Sequence, residues 1–248
     1  MYEDDTNLEK PRNENVTIWR YIDFTKLISL LFKESLYFTR VDKFEDPFEG
    51  SLSKANVKLR SSNFKGILPH YEITTLSEFY KTFVKLTYVN CWHLGGYQSA
   101  ALWQAYLQNY NGIAIRSTYK RLRDCFKATK YKINIGKVNY INYKKDLIPE
   151  GTLYPYFHKR KNFKDEKELR AVIQQFAYKK SGEINWNKSP FNEGLHVKID
   201  LEKLIDRIYL APRCQPWQVE IIYELVNKCR LDKKVLKSPI YDKDKIMY

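Results

Sequence analysis

The segment His158–Arg170, HKRKNFKDEKELR, is the densest mixture of opposite charges in the chain. Read as a strand, it puts Glu166, Glu168 and Arg170 on one face, because strand side chains alternate with a period of two. Two carboxylates and a guanidinium cost stability when they are buried without work to do. Carboxylates so placed can oppose an oxocarbenium-like centre or ligate a hard cation. The bland alternative is a solvated edge strand with gatekeeper charges. The apolar run Leu169–Ile173 that follows favours a central strand, and with it a site. Glu49, in Asp46-Pro47-Phe48-Glu49-Gly50, is a third candidate carboxylate. It follows Leu36-Tyr37-Phe38-Thr39-Arg40, and an Arg40–Glu49 pair across the intervening turn is its structural alternative.

Anion-binding chemistry is expected from other residues. In Trp19-Arg20-Tyr21, a guanidinium between aromatics can clamp a diphosphate while the rings stack on a flat heterocycle. Tyr37 and Arg40 extend that set. Ser99 caps a helix whose N-terminus suits an anion, with Trp103 one turn on. Cys91 and His93 share a strand face, which invites a thiolate–imidazole pair, but no third group of a triad is evident and a core cysteine is the plainer expectation. Only His70, His93, His158 and His196 are present, too few and too scattered for a multi-histidine metal site.

The net charge of +14 is concentrated. Between Arg116 and Lys145 ten cationic residues face a single acid, Asp124. Such a face attracts polyanions, and Lys120, Arg121, Lys127 and Lys130 are the expected nucleic-acid contacts; a solvated lysine-rich surface is the even alternative. Four scattered cysteines with no CxxC spacing fit reduced thiols in a cytoplasmic protein. No apolar run is long enough to span a bilayer, so no membrane role is expected.

The elements that must position these groups interleave. Residues 1–15 carry five acids and no apolar pattern, and are expected as a flexible tail ahead of one domain over 16–248. Strands are expected at Val16–Tyr21, Leu36–Arg40, Thr87–Trp92, Gly112–Arg116, Glu168–Tyr178, Leu195–Ile199 and Arg207–Leu210. Tyr131–Tyr143 reads as a strand bent or hairpinned at Gly136. Helices are expected after Asp23 or Thr25, after the capping-box pattern Thr75-x-x-Glu78, after Ser99 (displaying Leu102, Trp103, Tyr106 and Leu107), after Ser117 or Thr118, after Asp200, and over Pro216–Cys229. The pattern is that of an α+β fold with a mostly antiparallel central sheet and flanking helices.

From Trp19 to about Pro239, the succession LYFTR…FEDPFEG, CWH…SAALW, GIAI, KVNYINY and KRKNF…EKELRAVI resembles a bacterial family known as a domain of unknown function. Gln98 stands where many of its members carry Glu, and Leu102 where Met is frequent. The resemblance implies bacterial cytoplasmic proteins, some from mobile or phage-defence loci, with an antitoxin or other defence-system partner. A looser likeness is to the ADP-ribosyltransferase fold, with Arg20, Tyr37 and Glu168 in the order of its Arg, Tyr and Glu. It implies NAD as substrate, no metal, and an acceptor in nucleic acid or protein. Two rivals remain: a metal-dependent nuclease using Asp46, Glu49, Glu166 and Glu168 with Lys167, and a non-catalytic nucleic-acid-binding module.

Overall fold

The strand β1 (Thr17–Asp23) and helix α1 (Phe24–Lys33) show how locally the fold is written. The Asp23 side chain accepts the Lys26 amide at 2.7 Å and starts α1, which buries Leu27, Leu30 and Leu31. Glu34, at φ 43°, ends the helix in the left-handed region and turns the chain into β2 (Ser35–Arg40). The computed structural model describes residues 2–63, 70–106, 112–186 and 188–242, and the side chains of these apart from 60–63, 70–75 and 106.

The remaining elements follow as α2 (Lys54–Asn63), α3 (His70–Leu86), β3 (Thr87–Leu94), α4 (Ala100–Tyr106), β4 (Gly112–Thr118), α5 (Tyr119–Cys125), β5 (Asn134–Lys137) and β6 (Asn139–Ile141). After these come β7 (His158–Arg160), β8 (Glu168–Gln174), β9 (Gly194–Lys198), α6 (Leu201–Leu204), β10 (Arg207–Leu210), α7 (Pro216–Lys228) and β11 (Lys234–Lys237). Nine strands form one sheet in the order β11-β10-β4-β1-β3-β2-β9, with β8 and then β5 also attached through β3. All its pairings are antiparallel except β10 with β11. The protein is α+β. Side-chain alternation buries both faces of the central strands: Leu169, Ala171 and Ile173 of β8 join the larger apolar cluster, and Val172 joins a smaller one with Val89, Phe83 and Tyr156.

The sharing of the β3 edges positions the polar groups of the molecule. On one edge β3 pairs with β8 without interruption, from Thr87↔Gln174 to His93↔Glu168. Its other edge is divided. β1 takes the end (Ile18↔Leu94, Trp19↔His93) and β2 takes the start (Thr39↔Val89, Arg40↔Tyr88), so the sheet splits between them. Buried backbone groups need partners, and side chains supply them across the split. Arg20 Nη1 donates to the Cys91 carbonyl at 2.9 Å, and Asn90 Nδ2 to the Tyr37 carbonyl at 2.8 Å. Trp92 Nε1 in turn donates to Asn90 Oδ1 at 2.7 Å.

Several expectations are corrected. Residues 2–14 lie along the body: Tyr2 bridges Ile133, the Lys137 amide donates to the Glu9 carbonyl at 2.7 Å, and Leu8 is buried. Leu8 supplies the apolar anchor, and the acids find cations beneath them. Tyr131–Tyr143 is no hairpin; β5 joins the main sheet, and β6 leaves it to pair in parallel with β7. The helix expected at Thr75 begins at His70, and Leu107 lies outside the described residues. Helix α2 and strand β11 are additions.

Asn90 is 1% exposed and satisfies two buried groups at once. Asn90→Ala is expected to destabilise the protein by about 2–4 kcal/mol, since it strands both the Trp92 N–H and the Tyr37 carbonyl. Urea unfolding of the two proteins measures it.

Candidate functional site

The charges of His158–Arg170 do converge, but not as one strand. Lys159 and Arg160 belong to β7, residues Lys161–Glu166 form a 3₁₀ turn, and Lys167 at φ 43° reverses the chain into β8. This places Glu166 beside Glu168 through a turn rather than through alternation along a strand. Arg170, 1% exposed, grips Glu49 with Nη1 and Nη2 at 2.7 and 2.8 Å and Glu168 with Nε at 2.8 Å. Lys159 Nζ donates to Glu168 at 2.9 Å and to Glu166 at 2.6 Å. The Glu168 amide donates to the Tyr140 hydroxyl at 2.9 Å.

Charge counting explains the electrostatics. Lys159 and Arg170 neutralise Glu49 and Glu168, which leaves Glu166 as the surplus carboxylate. Burial and the neighbouring Glu168 push Glu166 up to about 7, against the hydrogen bond from Lys159. Glu168 moves the other way: although burial opposes its charge, Arg170 and Lys159 hold its carboxyl well below the usual range. Beside the cluster, the Arg160 guanidinium lies over Phe48 (4.3 Å) and Phe163 (5.2 Å) and bonds Asp46 at 2.8 Å.

The split in the sheet opens a second feature, a cavity of about 420 Å³ between β1, α1 and β2. Arg20, Lys26, Ser35, Tyr37, Cys91 and His196 are among its lining residues. Tyr37 packs against the His196 ring at 4.9 Å and lies so close over Gly194 that a Cβ there would run into its ring. Cys91 borders both features. It lines the cavity and stands opposite Arg170 of the cluster across the β3–β8 pairing.

Comparison with protein-family models and with curated proteins gives no match to this chain.

The residues expected at one site are thus divided. Arg20, Tyr21 and Tyr37 line the cavity; Glu49, Glu166 and Glu168 form the ion cluster. Trp19 and Tyr21 are buried, with Trp19 Nε1 donating to the Gly95 carbonyl at 2.8 Å, so neither ring stands free to stack flat on a heterocycle. The Tyr21 hydroxyl accepts the Ser99 amide at 2.7 Å, which removes that donor from any anion. Trp103 is fully buried, its Nε1 on Gln98 Oε1 at 2.8 Å. Arg40 pairs with Asp42 at 2.5 and 2.8 Å, not with Glu49. The Cys91–His93 pair is no nucleophile: burial raises the thiol, and His93 Nδ1 is spent on the Glu166 carbonyl at 2.7 Å. Lys159, Ser35, Asn90 and His196 were not expected. Ser35 shares a strand face with Tyr37 by alternation, whereas nothing in the sequence around His196 marks it.

The basic stretch is partly occupied. Glu3 pairs with Lys132 at 3.3 Å, Glu9 with Lys137 and Glu14 with Arg123. Arg121 caps α6 through the Lys203 carbonyl at 2.9 Å, and Lys127 meets Asp124 at 3.4 Å. Lys130 lies over Tyr131 at 5.4 Å. Lys120 and Lys127 face an open groove together with Lys203.

Two outcomes follow from the ion cluster. Arg170→Met is expected to cost about 3–5 kcal/mol at pH 7, since Glu49 and Glu168 lose their shared partner. The deficit shrinks on acidification as the stranded Glu168 takes up a proton, which unfolding curves at several pH values would show. Glu166 has the opposite sign. Because its folded value near 7 exceeds the ordinary 4.5, the folded state holds the extra proton between those limits and loses stability as pH rises through them. Relative to Glu166→Gln, the parent protein is expected to decline across that window; parallel curves would show that Glu166 titrates normally.

Proposed function

We propose that this protein binds a nicotinamide dinucleotide in the cavity between β1 and β2 and cleaves its nicotinamide–ribose bond. The observation that carries the reading is the split sheet, which sets the Arg20 guanidinium, Lys26 and the Tyr37 ring around one opening of about 420 Å³. That volume lies in the range of small-molecule sites, roughly 300–1,000 Å³. Cations there offset a diphosphate, and Tyr37 offers an aromatic edge to a base. The resemblance to ADP-ribosyltransferases supports the same chemistry, with a nucleic acid or protein as acceptor.

Cleavage passes through an oxocarbenium-like centre that a carboxylate stabilises. Glu168 is the candidate carboxylate, since it opens β8, the strand paired with β3, whose Cys91 lines the cavity. Its low proton affinity keeps it ionised for that role. The nuclease alternative fits less well. A divalent cation would need several of Asp46, Glu49, Glu166 and Glu168 at once, and all are committed to Arg160, Arg170 and Lys159, whereas the cleavage reading requires Glu168 alone to exchange a contact for the ribose.

The test is consumption of NAD with and without EDTA. The parent protein is expected to release nicotinamide in both conditions. Arg20→Ala is expected to raise KM as well as lower kcat, and Glu168→Gln to lower kcat by about 10²–10³. Glu168→Gln turning over at the parent rate contradicts the carboxylate assignment. Nucleic-acid cleavage that EDTA abolishes, without nicotinamide release, contradicts the reading itself.

A further inference from the structure

A hydrogen-bonded chain whose proton positions are fixed by chemistry ends in the cavity at His196 and Ser35. Lys33, the last residue of α1, places Nζ 3.0 Å from His196 Nε2, and His196 Nδ1 lies 3.0 Å from Ser35 Oγ. An ammonium can only donate, so Nε2 must accept. The neutral imidazole then carries its proton on Nδ1 and donates it to Ser35 Oγ. Burial and Lys33 both lower the proton affinity of His196, in keeping with a neutral ring. Ser35 is 3% exposed and lines the cavity. With its oxygen accepting from His196, its hydroxyl proton has no acceptor among the hydrogen bonds of the described residues.

A buried donor without an acceptor is costly, and the cavity is the open space beside it. Arg20 and Lys26 line the same space, so an anionic oxygen is the acceptor that their charge favours. We infer that Ser35, held by His196 and Lys33, donates to a phosphoryl oxygen of the bound ligand and selects phosphorylated ligands over unphosphorylated ones. This rests on the dinucleotide reading for the ligand's identity, but the donor itself requires only a phosphoryl group. Sequence periodicity places Ser35, Tyr37 and Thr39 on one face of β2, and His196 stands in register with Tyr37 on the neighbouring β9.

Calorimetric titration with ADP-ribose, adenosine and inorganic pyrophosphate tests it. Ser35→Ala is expected to weaken ADP-ribose and pyrophosphate by about 10- to 100-fold, the scale of a hydrogen bond to a charged group, and to leave adenosine unchanged. Ser35→Thr, which keeps the hydroxyl, is expected to retain most of the affinity. His196→Ala, which frees the hydroxyl to rotate, is expected to fall between the two. Equal losses for adenosine and ADP-ribose in Ser35→Ala would overturn the inference, as would no loss at all, or a parent protein that binds neither phosphorylated probe. Ser35-dependent binding of pyrophosphate without binding of ADP-ribose would support it while contradicting the dinucleotide reading.

Discussion

One edge of β3 is claimed by two strands, and the rest of the molecule follows from how that conflict is resolved. β1 and β2 are joined through α1, and each pairs with only two residues of β3. The unclaimed stretch between would leave backbone groups buried without partners. Asn90 and Arg20 bridge it with side chains, and the space between the strands becomes the cavity. Had β1 continued along β3, Arg20 would have faced a closed sheet and no ligand could reach it.

The second structural element is the ion cluster, which stiffens the far side of the same strand. Arg170 is buried among carboxylates from the 46–50 turn and from β8, and Lys159 comes from β7. Such a network is seldom a large net gain over an apolar core, but breaking it is expensive. It ties the small β6–β7 sheet and the Asp46–Gly50 turn to the main sheet. Its surplus member, Glu166, remains partly solvent-exposed and holds a proton near neutrality. Cys91 links the cluster to the cavity by lining one and standing in register with Arg170 of the other.

Much of this was legible beforehand, for local reasons. The Asp23 cap, the Arg40 end of β2, the α4 cap at Ser99 and the central position of β8 are all written in short-range pattern, and they stand as expected. Glu166, Glu168 and Arg170 were recognised as a cluster because charges beside an apolar strand are costly. What was not legible depends on distant partners. Glu49 turned to Arg170, 121 residues away, a choice that the strand order makes and no spacing reveals; this left Arg40 to its neighbour Asp42. Trp19 and Tyr21 read as stacking surfaces and Trp103 as part of the Ser99 anion site, yet both faces of this sheet are covered and they were needed inside. The acidic first residues lacked an apolar pattern, but Leu8 and Tyr2 anchor them and the basic stretch beneath supplies their counter-charges.

A crystal structure of the protein grown with ADP-ribose tests the central claim most directly, because it locates the ligand independently of turnover. The account predicts the ligand in the cavity between β1 and β2, with its diphosphate against Arg20 and Lys26 and a phosphoryl oxygen within hydrogen-bond distance of Ser35 Oγ. ADP-ribose seated elsewhere, or a cavity holding only solvent at saturating ligand, would contradict it.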